Sequence, residues 1–418
     1  MLCAQCEAGY SRNSSFQCTK CPPIWQNALI LSSLLILFIA GAAILVRVTL
    51  ASLNSEKSVV SIYCKTLMNH LHLLMLVASF DLDWPAQVKR FFESSRSVAD
   101  APSQIFSVDC FLQSAGGTAR FFLQLGLYVA LPLLVAGVAW LWWLCTKPRC
   151  KRKPDRTVAA VVVLLFLLHP LITTVVFQAF FCTQIDGNPR LVQQLEQVCW
   201  QGAHLLWATC LGGAGLLLWV IGVPLFTGLT LREESSRLQT LRNRVRYGFL
   251  YKGYRESAYF WEVVVMARKV LLAFISVFLQ SAGIMVQALL VQALVVLFIL
   301  LTSKVRPFTS PGLNFLEILS LAVLSLTVYA GLFFLAEEDA SSPAFHYRKD
   351  FTLSPASKWL LFLLILVSNL FFFIVWLHSL IGALAATLVR QCPALFRCCC
   401  LCNSRARLRK IRRHLVVR

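Results

Sequence analysis

The stretch YRESAYFWEVVVMARKVLLAFISVFLQ, from Tyr254 to Gln280, decides the fold class. Its apolar run is long enough to cross about 30 Å of hydrocarbon as an α-helix. Arg268 and Lys269 nevertheless stand near its middle. A charge at that depth costs roughly 2.5 to 3.5 kcal/mol on insertion scales, so keeping two adjacent cations there requires a counter-charge or a functional role.

The composition of the whole chain is that of a membrane protein. Of its 418 residues, 58% are hydrophobic and 14% are charged, whereas roughly 25% of residues are charged in soluble domains. The formal net charge of +20 is compatible with a nucleic-acid partner, but the cations lie between apolar segments. We therefore expect membrane lipids as partners and no nucleic acid.

Nine apolar segments are long enough to span a bilayer. They lie near residues 25–47, 59–80, 119–144, 157–181, 204–229, 258–279, 283–303, 313–335 and 357–389. The sequence QSAG between the sixth and seventh segments predicts a tight hairpin. These segments predict an all-α integral membrane protein with about nine transmembrane helices.

The distribution of Lys and Arg predicts the orientation. Basic sequences follow the third, fifth, seventh and ninth segments: TKPRCKRKPDR, REESSRLQTLRNRVRYGFLYKGYR, SKVRPF and RARLRKIRRHLVVR. Because cytoplasmic loops are enriched in cations, the N-terminus is expected outside and the C-terminus in the cytoplasm. The expected regions are a Cys-rich extracellular remnant of a longer protein (1–23), a transmembrane domain (24–390) and a basic Cys-rich tail (391–418). The location is a plasma membrane or endomembrane.

The N-terminal cysteines have the spacing C-x2-C-x11-C-x2-C. They are Cys3, Cys6, Cys18 and Cys21. This spacing suits a zinc ion, but the predicted outer location favours two disulfides. Asn13 begins an N-x-S sequon and is a candidate for glycosylation.

Two further groups of cysteines are separated by the predicted membrane. Cys182 and Cys199 frame one outer loop and are candidates for a disulfide, with Cys110 as an alternative partner for either. On the inner side a cluster follows the ninth segment: Cys392, Cys398, Cys399, Cys400 and Cys402. Reduced cysteines among arginines predict palmitoylation, with a metal cluster or an inert interfacial cluster as the alternatives.

The two intramembrane cations have candidate anions nearby. Glu262 shares a helical face with Lys269, two turns away. Glu317 lies in the eighth segment near the same predicted side, and we predict that it contacts Arg268. The long stem of Lys269 is expected to carry its amine partly toward the interface. Passage of an ion or a lipid along these charges is the alternative.

The fifth apolar segment contains a candidate hinge. Pro224 removes one backbone hydrogen bond and kinks the helix, and Gly222 lies two residues before it. Close packing of small residues is the alternative to gating. In the second segment, His70 and His72 point to different faces of the helix, which predicts separate polar contacts rather than a shared metal.

An acidic run marks a candidate pore mouth. Glu337, Glu338 and Asp339 are expected in an outer loop after the eighth segment, where carboxylates would attract inorganic cations. A solvated acidic loop is the alternative. The chain has no Walker loop, H-E-x-x-H or G-x-S-x-G sequence. We therefore expect no enzyme activity, no cofactor and no metal site.

Three segments together resemble a known family. KTLMNHLHLLMLVASFDLDWP (Lys65–Pro85), YGFLYKGYRESAYFWEVVVMARKVLL (Tyr247–Leu272) and VRPFTSPGLNFLEILSLAVLSLTVYAGLFF (Val305–Phe334) resemble the membrane region of transient-receptor-potential-like proteins of protists and algae, distant kin of the fungal flavin-carrier and polycystin-like group. CEAGYSRNSSFQCTKCPP resembles an ephrin-receptor-like Cys-rich repeat. The resemblance implies a multi-pass protein and a cation channel.

Three functions compete at this level. The first is a cation channel in which helices eight and nine form the pore pair. The second is a carrier or scramblase for an organic or lipid substrate, with broken helices lining a cavity. The third is a membrane anchor or sensor for an absent ectodomain. A central pore would require a symmetric homo-oligomer, whereas a monomer with an internal groove would favour the carrier.

Overall fold

The chain is mostly helical wherever its structure is described. The computed structural model describes residues 10–12, 18–20, isolated positions between 23 and 44, 60–78, 121–130, 137, 153–341 and 354–391. Each of the nine apolar segments contains helical positions within these residues. The prediction of a helical, membrane-type architecture is confirmed at this level.

The described helices are α1 (Val60–Ala78), α2 (Phe121–Ala130), α3 (Lys153–Gln178), α4 (Gly202–Glu233), α5 (Leu241–Tyr251), α6 (Trp261–Phe278), α7 (Ile284–Val305), α8 (Pro311–Ser341) and α9 (Pro355–Gln391). Eight of them lie largely in apolar segments, whereas α5 lies in the basic sequence that was expected to be a loop after the fifth segment. Among the described residues, six helices are long and apolar enough to cross a membrane: α1, α3, α4, α7, α8 and α9. The count of nine spans and the orientation of the termini remain predictions.

Short β-sheets interrupt the helical pattern, so the expectation of an all-α chain is wrong in two places. Strands β1 (Tyr10–Arg12) and β2 (Cys18–Lys20) pair antiparallel. Strands β3 (Cys182–Ile185), β4 (Asn188–Leu191) and β5 (Gln194–Val198) form an antiparallel sheet between α3 and α4. Asp186 and Gly187 turn the first hairpin with positive φ angles of 52° and 75°, and an Asp-Gly pair is a common signal for such a turn.

The helix ends have local causes in the sequence. The tight hairpin predicted between the sixth and seventh segments is confirmed: α6 and α7 are joined through Gly283, whose φ of 92° favours glycine. Helix α9 begins with Pro355 in the first turn, and the hydroxyl of Ser354 accepts a hydrogen bond from the backbone N–H of Ser357 at 3.1 Å. Both features are typical of helix N-termini.

Helix α6 lies between two halves of the bundle. One apolar cluster joins it to α2, α3, α4 and α5, and Met266 and Ala273 belong to this cluster. A second cluster joins it to α1, α7, α8 and α9 through Leu272. Helix α6 therefore has protein on both sides, and its charged residues are placed in the interior.

Candidate functional site: a charged interior around helix α6

All three charged side chains of helix α6 are buried. Glu262 is 0% exposed, Arg268 2% and Lys269 5%. Burial without pairing is expensive for a charge, because the hydration of the ion is lost and must be replaced by hydrogen bonds and counter-charges. The hydrogen-bond partners and counter-charges around each side chain therefore decide whether it is structural or free to bind a substrate.

Arg268 pairs with Glu317 of helix α8. The Nη2 atom of Arg268 donates to Oε1 of Glu317 at 2.9 Å, and both side chains are almost completely buried. The guanidinium carbon also lies 5.7 Å from the centre of the Phe298 ring on α7, close enough for a cation–π contact. This is the contact that the sequence predicts for Arg268, and it ties α6 to the second half of the bundle.

Glu262 pairs with a residue that the sequence reasoning missed. Lys65 of helix α1 donates from Nζ to Oε2 of Glu262 at 2.5 Å and to the backbone carbonyl of Phe249 at 3.2 Å. The hydroxyl of Tyr254 donates to the same Oε2 at 2.9 Å. The signal was present, since Lys65 lies in an apolar segment and needs an anion for the same reason as Arg268.

Lys269 has a different environment from its neighbour. Its Nζ lies 4.2 Å from the centre of the Phe166 ring of α3, and within the described part of the chain it has no hydrogen-bond partner. Glu262 acts on it electrostatically, and the imidazoles of His72 and His169 lie within electrostatic range of its amine. The expectation that this amine moves out toward the interface is wrong, because Phe166 and the α3 side of the bundle cover it.

The candidate hinge in α4 contains a local departure from α-helical geometry. Residues 208–212 and 216–221 adopt π-helical turns, which occur frequently at functional sites. A Cβ atom at Gly222 would lie 2.7 Å from the carbonyl oxygen of Leu217, so the turn requires glycine there. Pro224 follows two residues later and, lacking an N–H, cannot restore the regular hydrogen bonds.

A cleft of about 300 Å³ lies beside this irregular turn. Its walls come from α3, α4, α5 and α6 and are mainly apolar: Val162, Leu165, Phe166, Leu217, Leu218, Gly222, Val223, Phe226, Thr227, Leu250 and Met266. Leu217 and Phe226 are 66% and 59% exposed at the surface of α4. Phe166 therefore contacts the unpaired Lys269 and also forms part of the cleft wall.

Other polar residues of the bundle make separate contacts. The Nδ1 atom of His70 lies 2.9 Å from the hydroxyl of Ser320 on α8, and the imidazole stacks on Phe372 of α9. Asn369 of α9 donates to the hydroxyl of Thr327 on α8 at 3.2 Å. These contacts connect helices α1, α8 and α9.

The candidates predicted for the outer side are described only in part. Cys182 and Cys199 form a disulfide that closes the three-stranded sheet. Cys18 lies in β2, whereas Cys3, Cys6, Cys21, Asn13 and the cysteines of the tail lie outside the described residues. The acidic run was expected in a loop, but its backbone continues helix α8 to Ser341. The side chains of Glu337, Glu338 and Asp339 also lie outside the description.

Comparisons with known proteins give weak similarity to very large relatives. The chain is 23% identical over 350 residues to cysteine repeat modular protein A of Toxoplasma gondii. This match covers 66% of the present chain and 11% of the relative. The chain is 35% identical over 81 residues to cysteine repeat modular protein B of the same organism, covering 19% of this chain and 1% of that protein. The chain thus spans a small part of either relative. No family model and no solved structure matches it.

Proposed function

We propose that this chain is a membrane transport domain of the carrier or scramblase type, acting on an amphipathic organic or lipid substrate. The observation that carries the proposal is Lys269, a buried cation without a hydrogen-bond partner in the described chain, beside a wall of the apolar cleft. The cleft suits the apolar part of a substrate, and the cation suits an acidic group. Ionisable residues inside membrane domains usually serve function when structure does not explain them.

The irregular helix α4 supports the same proposal. Substrate sites of many transporters are formed where a membrane helix is broken, because the freed backbone groups and the hinge lie beside the substrate. Gly222 directly follows the second π-helical turn and also lies in the cleft wall. A change in the kink of α4 would widen or narrow the cleft.

A cation channel is the second candidate, supported by the acidic run at the end of α8 and by the resemblance to transient-receptor-potential-like proteins. Helix α8 ends at Ser341 and α9 begins at Pro355. Residues 342–354 are a short connection for a pore helix and a selectivity filter, which is why we favour the carrier. The names and lengths of the relatives support an anchor for a large Cys-rich ectodomain as a third candidate.

The carrier proposal is tested in phosphatidylcholine vesicles that contain fluorescent phosphatidylserine. The wild-type chain should accelerate transfer of the fluorescent lipid between leaflets, as measured by quenching from outside. Lys269→Met should slow the transfer at least tenfold, because the acidic headgroup loses its cation. Lys304→Met is the matched control, since Lys304 is exposed at the end of α7.

The outcomes distinguish the three candidates. Wild-type vesicles without lipid transfer but with cation flux would replace the carrier by the channel. Vesicles with neither activity would leave the anchor. Equal rates for Lys269→Met and the wild type would remove Lys269 from the substrate path. Membrane lipids and inorganic cations are the partners within these proposals, and no enzymatic step or cofactor is invoked.

A further inference from the structure

Helix α9 is the least enclosed of the long apolar helices that the structure describes. Only 17% of an 18-residue apolar stretch within its candidate span Ala356–Ala386 is buried inside the chain, against 28% to 61% for the corresponding stretches of the other five helices. One face packs on α1 and α8 through residues such as Ile365, Asn369 and Phe372. Between Ala356 and Ala386 the opposite face is exposed in the described chain.

The uncovered face has a seven-residue repeat. One set of exposed residues recurs every seven positions: Leu360, Val367, Ile374 and Ile381. A second set follows each of them by three positions: Leu363, Leu370, Leu377 and Leu384. All eight side chains are between 41% and 69% exposed. In heptad notation the first set occupies a and the second occupies d, over four successive heptads.

The choice of residues within the repeat indicates a partner helix. Three of the four a positions are β-branched and all four d positions are leucine, the combination that favours two parallel strands. Lipid favours any apolar side chain, but it does not discriminate between branched and unbranched residues at alternate positions. Copies of one chain share one orientation in a membrane, so an α9 helix meets another α9 helix in parallel.

A histidine on the same face supports the inference. His378 occupies an e position next to Ile374 and Leu377, and it is exposed on the surface of the single chain. It lies within the candidate membrane span of α9, Ala356–Ala386. Polar residues of membrane helices usually face protein rather than lipid. A second helix packed along the a and d positions would shelter this side chain at the edge of the contact.

The size of the face is suitable for a pair of helices. The span Ala356–Ala386 has 31 residues and is about 46 Å long at 1.5 Å per residue, so a strip about 10 Å wide along it is roughly 460 Å² per copy. Two copies would bury roughly 900 Å², near the lower bound of ~1,000 Å² for specific interfaces between soluble proteins.

We infer that the a and d face of α9 binds the same face of a second copy of this chain, forming a two-fold symmetric dimer. Association inside a membrane depends on van der Waals packing rather than on removal of apolar surface from water. Shortening the d-position leucines therefore weakens the contact while leaving α9 apolar. This inference does not depend on the transport activity proposed above.

The test counts subunits of the fluorescently tagged full chain by stepwise photobleaching in liposomes, over a series of dilutions with lipid. The wild type should bleach in two steps. The quadruple variant with Leu363, Leu370, Leu377 and Leu384 changed to Ala should dissociate at protein-to-lipid ratios at least tenfold higher than the wild type. The matched control changes four exposed leucines of α7 to Ala: Leu289, Leu290, Leu297 and Leu300.

Each result bears on the inference. The α7 variant should remain dimeric like the wild type, which excludes a general effect of losing lipid-facing leucines. Denaturation midpoints in mixed micelles should be similar for the two variants, which excludes unfolding as the cause. A wild type with one step at every dilution, or with four steps, overturns the two-helix contact. So does an α9 variant that dissociates no more readily than the α7 variant.

Discussion

The pair between Arg268 and Glu317 gives the sharpest test of how the charged interior stabilises the bundle. We consider the substitutions Arg268→Met and Glu317→Leu, alone and together. Each substitution keeps an apolar side chain of useful volume in place, so the loss of charge is separated from the creation of a large cavity. The two charges lie on different helices, so their interaction holds α6 against α8.

The structure sets the expected magnitude. Two unit charges 2.9 Å apart interact with about 6 kcal/mol at an effective dielectric constant of 20. Removal of one partner strands the other charge and should cost roughly 3 to 5 kcal/mol. Arg268→Met also removes the contact with Phe298. The double variant strands no charge, so it should cost less than either single change, and replacement by apolar groups is often nearly neutral.

Unfolding free energies can be measured by titration with sodium dodecyl sulfate in mixed micelles, with tryptophan fluorescence as the signal. The coupling energy is the loss of unfolding free energy in the double variant minus the sum of the losses in the two single variants. We expect it to be at least 3 kcal/mol in magnitude.

The control cycle uses the more accessible pair between Arg246 and Asp155, whose side chains are 23% and 15% exposed. Its coupling should be smaller, because water screens the pair and Arg242 lies 3.8 Å from the same carboxylate. The proposed stabilisation by pairing would be refuted if the stability losses of Arg268→Met and Glu317→Leu sum to that of the double variant within about 0.5 kcal/mol.

Three further outcomes follow from the neighbouring contacts and use the same unfolding assay. Tyr254→Phe removes a buried hydrogen bond to a charged group and should cost about 1.5 to 3 kcal/mol; an unchanged midpoint would show that Glu262 does not need this donor. Gly222→Ala places a methyl group against the carbonyl of Leu217 and should cost about 1 to 3 kcal/mol, whereas Gly213→Ala, which has space, should stabilise by up to about 1 kcal/mol; equal effects would exclude the steric argument. Lys269→Met should change stability by less than about 1 kcal/mol, because it removes a buried cation together with its aromatic contact; a loss as large as that of Arg268→Met would indicate a strong partner for Lys269.

Local sequence patterns predicted the helices well, because long apolar runs determine membrane helices almost alone. The Arg268–Glu317 contact followed from a second simple rule, that a buried charge needs an opposite charge. The same rule applied to Lys65 would have found the partner of Glu262. That pairing was missed because Lys269 on the same helix offered a local partner two turns away, and the sequence does not show which helix faces which.

Three further features were not predicted, two of them local and one that depends on the packing of several helices. The three-stranded sheet between Cys182 and Cys199 was not predicted, although its Asp186–Gly187 turn is a hairpin signal in the sequence. The length of α8 was underestimated because its final turns are polar, and helix propensity continues through Ala340 when no glycine or proline stops it. The position of the cleft required the packing of four helices and could not be read from any one of them.

The adjacent cations Arg268 and Lys269 have opposite roles because of helix geometry. Successive residues of an α-helix point about 100° apart, and α6 lies between two packed halves. Arg268 therefore reaches Glu317 in one half, whereas Lys269 reaches the Phe166 ring in the other. The first contact is a closed pair with little left to bind a substrate, and the second leaves a cation beside the cleft. Substitution of Arg268 should accordingly lower stability, whereas substitution of Lys269 should lower transport at nearly unchanged stability. Loss of transport and of stability in parallel for both residues would contradict this division between the two sides of α6.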